Sequence, residues 1–211
     1  MNKRGLLVIV SGFSGVGKGT IVRKLLDDYN EQYYLSISAT TRNPRPGEEH
    51  GREYFFITQD EFDRMISENR FLEYARYVGN SYGTPVSLVE DNLNAGKDVI
   101  LEIELQGAMQ VKEIYPDALT VFVVPPDAET LKNRLVGRGT ETEEVICERL
   151  KRAGEEADQV EWYEYIIVND KLETSVASLH GLIQSTKNRT LNNIEFINEV
   201  KEGVKAFSKG E

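Results

Sequence analysis

Lys18 is the residue from which the chemistry of this chain is read, because of what surrounds it: Gly12-Phe13-Ser14-Gly15-Val16-Gly17-Lys18-Gly19-Thr20. Glycines at positions 12, 15 and 17 allow a backbone to wrap its N–H groups around a polyphosphate without a steric penalty, and the lysine adds a mobile positive charge. The spacing is that of the phosphate-binding pattern G-x-x-x-x-G-K-[ST], with one departure: Gly19 occupies the place of the magnesium-binding hydroxyl, and Thr20 follows one position later. The apolar run Leu6 to Ser11 before it predicts a buried strand. The spacing of Ile21, Val22, Leu25 and Leu26 after it predicts a helix whose dipole points at the same anion.

Two more groups of residues have chemical potential. Arginines are clustered, Arg42 with Arg45 on the stiff turn Arg42-Asn43-Pro44-Arg45-Pro46-Gly47, then Arg134, Arg138, Arg149 and Arg152. On its own the turn is equally an anion trap or a solvated loop. The second group is acidic. Asp98 to Glu104 reads as an apolar parallel strand that carries Glu102 and Glu104 on one face, the place where a phosphate-loop protein holds magnesium or its waters.

The elements that must position these residues follow from periodicity and turn chemistry. Tyr34 to Thr41 reads as one strand. Tyr54 to Ile57, a helix opened by the capping box Thr58 to Glu61, and Phe71 to Val78 suggest a small α+β lobe within 38–85. Thr84 is expected to cap a helix that begins at Pro85 and closes at Gly96. A helix over Gln106 to Tyr115, a strand over Leu119 to Val124 and a last strand at Ile166 to Asp170 complete an α/β core of 5–37, 86–126 and 160–184. Asp127 caps a helix that breaks at Gly137-Arg138-Gly139, and a second charged helix follows. With little apolar surface to bury, 127–159 is expected to be a mobile lid. After a helix from Leu172 to Gln184 comes a polar tail, 185–211, with an apolar stripe at Ile194, Ile197, Val200, Val204 and Phe207.

Composition limits the function. With 211 residues, 40% hydrophobic and 28% charged, the chain has the balance of a folded soluble protein with one main domain. A net charge of −10 argues against nucleic acid as a partner, and no apolar run is long enough to span a bilayer, so a cytoplasmic protein that neither binds nor crosses membranes is expected. The single cysteine, Cys147, excludes an internal disulfide and reads as a small apolar residue on a helix face. His50 and His180 have no neighbouring nucleophile or second ligand in sequence and read as structural.

Taken together, these motifs resemble the guanylate kinases from Gly5 to about Gln184. Besides the phosphate loop, the resemblance rests on Ser36-Ile37-Ser38-Ala39-Thr40-Thr41-Arg42 with Pro44-Arg45 and Gly47-Glu48, on Gly51-Arg52-Glu53-Tyr54-Phe55-Phe56, and on Glu73-Tyr74-Ala75. Gly79-Asn80-Ser81-Tyr82-Gly83-Thr84, Arg138-Gly139-Thr140-Glu141 and Val168-Asn169-Asp170 complete it. It implies a phosphate-loop α/β fold with a parallel sheet flanked by helices, an inserted GMP-binding lobe and a helical lid. The implied reaction is transfer of the γ-phosphoryl of MgATP to GMP, and to dGMP, in purine nucleotide metabolism.

The same resemblance gives ATP the loop from Gly12 to Thr20, with Asn169 near its adenine. Arg42, Arg45, Tyr54 and Tyr82 would grip the GMP phosphate, while Ser38, Glu73 and Thr84 read the guanine. Lys18, Arg42, Arg134, Arg138 and Arg149 would serve catalysis. Thr20 and Glu102 would hold Mg2+, partly through water, with Glu104 beside the substrate. Where Glu102 and Glu104 stand, much of the family has aspartate. Two other readings compete, a non-enzymatic interaction module of the same fold and a kinase for another monophosphate such as AMP. The intact phosphate loop opposes the first and the GMP-lobe residues oppose the second. Sequence does not decide between a monomer and a homo-oligomer.

Overall fold

The computed structural model describes residues 4–77, 79–136 and 143–208. In chain order the elements are β1 (Leu7–Gly12), α1 (Lys18–Asp28), β2 (Tyr33–Leu35), β3 (Ala39–Thr40), β4 (Phe55–Phe56), α2 (Gln59–Ser67), β5 (Phe71–Tyr77), β6 (Asn80–Pro85) and α3 (Val86–Asn94). They continue with β7 (Asp98–Glu102), α4 (Leu105–Ile114), β8 (Leu119–Val124), α5 (Ala128–Val136), α6 (Glu143–Ala157), β9 (Tyr165–Val168), α7 (Leu172–Lys187) and α8 (Ile194–Ser208).

Five strands form a parallel sheet in the order β2-β7-β1-β8-β9. Its central strands are apolar on both faces, as a sheet covered by helices on both sides requires. Period two sorts β1: Val8 and Val10 join the core beneath α1 and α7 with Ile21, Leu25, Leu179 and Ile183, while Leu7 and Ile9 join Val89, Leu93 and Val111 of α3 and α4 on the other face. All of these are buried, and each such aliphatic side chain contributes about 1.5–3 kcal/mol. This body fixes the carboxyl ends of β1, β7 and β8 side by side, the edge at which parallel α/β sheets bind ligands.

A second sheet, β4-β3-β6-β5, is mixed: β3 runs parallel to β4, and β6 runs antiparallel to both β3 and β5. Here the expected single strand from Tyr34 to Thr41 is corrected to two. The chain leaves the first sheet after Ser36 N donates to Ile100 O, and rejoins regular structure in the second, where Phe55 N donates to Ser38 O. The strand broke because its hydrogen-bond partners change sheets.

Three further local readings are revised. Thr84 does not cap α3. It is a residue of β6, Pro85 is the cap, and the helix starts at Val86. Glu104 lies beyond the end of β7, in extended conformation as the N-cap of α4, so Glu102 and Glu104 do not share a strand face. The third revision concerns α5 and α6. The Asp127 cap is present, with Thr130 N donating to Asp127 Oδ1 at 2.6 Å, but the hairpin is not poor in buried apolar surface. Leu131, Leu135 and Ala153 are buried in the same core as α1 and α7. Cys147, read as a small apolar residue on a helix face, lies on α6 and is exposed. His180 stacks on Tyr29 with ring centroids 4.0 Å apart and shares a 2.7 Å hydrogen bond with Tyr33, a packing role between α1 and α7. Among the described residues no helix is long and apolar enough to cross a membrane.

Candidate functional site

The loop between β1 and α1 is shaped by its glycines. Gly15 and Gly17 have φ of +83° and +100°, values that L side chains rarely adopt. They are also tightly enclosed: a Cβ on Gly17 would lie 2.7 Å from Asn169 Nδ2, and one on Gly15 would lie 2.5 Å from Leu135 Cδ2. Gly17 is the N-cap of α1 and offers no capping side chain, so the helix presents its N-terminal donors to whatever anion enters the loop. Lys18 Nζ donates to Gly12 O at 2.5 Å and to Phe13 O at 3.4 Å, which folds the ammonium across the mouth of the loop.

Asn169 and Arg134 meet on the far side of this loop. Asn169 Nδ2 donates to Val16 O at 2.8 Å, Arg134 Nη1 donates to the same oxygen at 3.2 Å, and Ser175 Oγ donates to Asn169 Oδ1 at 3.0 Å. Asn169 is buried, so in this structure it braces the loop. Ser175 completes the brace and was missed by sequence reasoning; its place in the first turn of α7, six residues after Asn169, is the only signal that could have found it.

Glu102, at the end of β7, faces the first turn of α1. A Cβ on Gly19 would lie 3.4 Å from Glu102 Oε2, so the glycine in the usual hydroxyl position keeps the carboxylate close to the helix start. Glu102 retains exposed surface, yet the protein around its carboxylate raises its proton affinity, with Lys18 and Arg23 opposing the rise and Glu104 adding to it. Thr20, in the first turn of α1, is exposed. These are hard oxygen donors, the kind Mg2+ takes alongside waters and phosphate oxygens. Among the described residues no group of three or more His, Cys, Asp or Glu comes together to enclose a metal without a substrate.

The second sheet carries the other half of the site. Arg42 is forked onto Glu48, with contacts of 3.0 and 3.1 Å, and its guanidinium sits 5.4 Å from the Tyr54 ring centroid. The Glu48 hydrogen bond raises the Arg42 pKa and lowers that of Glu48. Glu48 also accepts from Arg45 N at 2.8 Å, so one carboxylate shapes the whole arginine turn. It drew no role from the sequence, although its place after Pro46-Gly47 marks it as a turn residue. Tyr82 packs edge-on to Tyr54 at 6.0 Å.

Glu73 is the buried acid of this lobe, 5% exposed. It is the cross-strand partner of Thr84, whose hydroxyl donates to Glu73 Oε1 at 2.6 Å. Burial pushes its pKa from 4.5 to about 7, against the Thr84 hydrogen bonds. Thr84 and Tyr82 are two residues apart on β6, hence on one face and roughly 7 Å apart along the strand. Ser38 lies half-buried between β2 and β3.

Between the second sheet, the β7–α4 junction and α6 opens a cleft of about 950 Å³, a volume suited to a small organic ligand. Its walls bring together Arg42, Arg45, Tyr82, Glu104 and Arg149, five of the residues picked from sequence. Lys18, Glu73, Thr84, Arg134 and Asn169 are not among its lining residues. Arg138, with Gly139, Thr140 and Glu141, lies outside the described residues.

This arrangement can be set beside known proteins. A family model described as guanylate kinase matches residues 4–186. A guanylate kinase of Lactococcus lactis is 51% identical over 195 residues, covering 92% of this chain and 95% of its own, and one of Bacillus subtilis is 49% identical over 183 residues, covering 87% and 90%. The crystal structure of guanylate kinase from Anaplasma phagocytophilum superposes with a TM-score of 0.73 at 31% identity, covering 89% of each chain. On the extent of these matches, and with the loop, the arginine turn and the buried acid in place, the chain belongs to the guanylate kinase family.

Proposed function

We propose that this protein transfers the γ-phosphoryl group of ATP to GMP, and to dGMP, giving ADP and GDP or dGDP, as a cytoplasmic enzyme of purine nucleotide metabolism. The observation that carries the reading is Glu73, a carboxylate buried in the lobe that also holds the arginine turn. Guanine presents two adjacent donors, N1–H and the N2 amino group, which one carboxylate accepts together. Adenine presents a lone pair at N1, which the same carboxylate repels, so one residue both selects and rejects. Thr84, already donating to Glu73, holds the acceptor in position, and Ser38 adds a hydroxyl that discriminates less.

Phosphoryl transfer asks for positioning and charge neutralisation more than for covalent chemistry. In this reading Lys18 leaves the Gly12 and Phe13 carbonyls for the phosphates of ATP, and the glycines 12, 15 and 17 let the backbone close on them. Arg42, Arg45, Tyr54 and Tyr82 fix the GMP phosphate in line. Arg134, Arg138 and Arg149 balance the charge that shifts during transfer, and Glu104 lines the acceptor cleft. Asn169 supports both the loop and the adenine side. Thr20 and Glu102 would hold Mg2+, partly through water, and the bound ion would supply positive charge against the charge that develops during transfer. The domain plan that goes with this is a core of 5–37, 86–126 and 160–184, a GMP lobe of 38–85, a lid of 127–159 and a helical tail of 185–211.

The test is ADP formation from MgATP with GMP, dGMP, AMP, CMP and UMP in parallel. We expect kcat/KM for GMP to exceed that for AMP by at least about 10³-fold, because a buried group left unpaired by the wrong base penalises it heavily. Comparable turnover of GMP and AMP refutes the reading, and GMP binding without turnover would make the chain a binding module.

A further inference from the structure

Gly107 stands in the first turn of α4, where nothing in its backbone requires glycine. Its φ is not in the left-handed region, and a helix prefers alanine at such a position. What lies beside it is chemically specific. Outside its own helix, the three heavy atoms nearest to a Cβ built on Gly107 all belong to Glu73: Oε2 at 2.5 Å, Cδ at 3.0 Å and Cγ at 3.4 Å. The carboxylate therefore occupies the volume an alanine methyl would take. The other oxygen, Oε1, is held by the Thr84 hydroxyl at 2.6 Å. Glu73 is thus clamped between a hydroxyl on β6 and a bare stretch of helix on α4.

We infer that Gly107 is a positioning residue for base selection: the missing side chain on α4 sets where the Glu73 carboxylate stands, and so sets the preference for guanine. This rests on the reading of Glu73 as the base-recognising acid. The inference goes further because it assigns part of the selectivity to a residue with no side chain, acting through Glu73. It also explains why the helix tolerates a poor helix former. A methyl at position 107 displaces the far end of one side chain and no backbone, so the fold survives while the acceptor moves. A displacement of about an ångström is enough to spoil a two-point hydrogen bond.

The experiment compares Gly107→Ala, Glu73→Gln, Glu73→Asp and the double variant Gly107→Ala/Glu73→Asp in the full-length enzyme, by steady-state kinetics with GMP, IMP and ATP and by thermal melting without ligand. We expect Gly107→Ala to raise KM for GMP about tenfold or more, to leave KM for ATP within twofold, and to melt no lower than the parent. The GMP over IMP preference should shrink, since IMP lacks the N2 amino group and has less to lose. Aspartate is one methylene shorter and clears the new methyl, so the double variant should bind GMP more tightly than Gly107→Ala alone, although Glu73→Asp by itself weakens binding. If Glu73→Gln impairs GMP but Gly107→Ala does not, the positioning inference fails and the reading of Glu73 stands. If Glu73→Gln leaves GMP selectivity intact, the reading itself fails, and the inference with it. A lower melting point with equal losses for GMP and ATP would show that Gly107 is a packing residue only, which also overturns the inference.

Discussion

Glu73→Gln should make the ligand-free protein more stable at alkaline pH while impairing its use of GMP. The folded state raises the Glu73 pKa from 4.5 to about 7, chiefly through burial. Between those values the folded chain keeps a proton that the unfolded chain has released, so stability falls as pH rises through the window from about 4.5 to 7. Above it both states are ionised and the full penalty is present. Each pH unit of the gap is worth about 1.4 kcal/mol, which puts the penalty at about 3 kcal/mol. Glutamine keeps the shape and still accepts from the Thr84 hydroxyl, but its amide N–H groups need partners, which gives back about 1 kcal/mol. The variant should therefore gain about 2 kcal/mol at pH 8.5, or roughly 4–8 °C in melting temperature for a chain of this size. That advantage should be gone by pH 4.5. The assay is urea unfolding of parent and variant, without nucleotide, at pH 4.5, 6, 7 and 8.5. If the stability difference between the two proteins did not change with pH, the carboxylate would not be paying for its burial and this account of Glu73 would be wrong.

Three further outcomes are expected. Lys18→Ala should lower kcat at saturating ATP and GMP by about 10²-fold or more, because its charge is needed most as negative charge shifts in the transition state; kcat within a few-fold of the parent refutes this. Asn169→Ala removes the hydrogen bonds to Val16 O and from Ser175 Oγ, worth about 2 kcal/mol together, and should lower the melting temperature by roughly 4–8 °C and raise KM for ATP more than KM for GMP. Chelation by EDTA should abolish turnover and added Mg2+ restore it, with Glu102→Gln raising the Mg2+ needed for half-maximal rate by about tenfold; an unchanged Mg2+ titration would remove Glu102 from the metal site.

The parts of this molecule legible from sequence are those governed by local rules. An apolar strand running into Gly12, Gly15, Gly17 and Lys18, and the apolar spacing of Ile21, Val22 and Leu25, need no knowledge of the rest of the chain, and the structure places β1 and α1 there. Thr58 likewise accepts from Glu61 N at 3.2 Å, as its capping pattern implies. What could not be read locally depends on partners distant in sequence. Tyr34 to Thr41 alternates like one strand, yet β2 answers to β7 and β3 to β4 and β6, and alternation says nothing about which sheet a residue joins. Thr84 has the side chain and position of a helix cap, but its hydroxyl is drawn 11 residues back to Glu73, where a buried acceptor outweighs an exposed helix end. Gly107 carries no signal at all until Glu73 is seen against it.

The pair of helices α5 and α6 shows how such distant packing supports the phosphate loop. Charge density suggested a piece loosely attached to the body. Leu135 is fully buried instead, and its Cδ2 lies where a Cβ on Gly15 would fall, so α5 forms part of the support beneath the phosphate loop. Arg134, its neighbour, ties the same helix to Val16 O. A motion that swung α5 would therefore pull on the phosphate loop, and Ala153 ties α6 to the same core, so both helices are anchored beneath that loop. Leu135→Ala should accordingly behave as a core substitution, costing about 2–5 kcal/mol, and also raise KM for ATP by loosening Gly15. Leu150, which packs only partly buried against that core from α6, should cost less on truncation and leave KM for ATP nearly unchanged. Denaturant unfolding and ATP kinetics of the two variants decide the matter: if Leu135→Ala were as stable as the parent, or if both variants affected ATP equally, Leu135 would not be the support of Gly15.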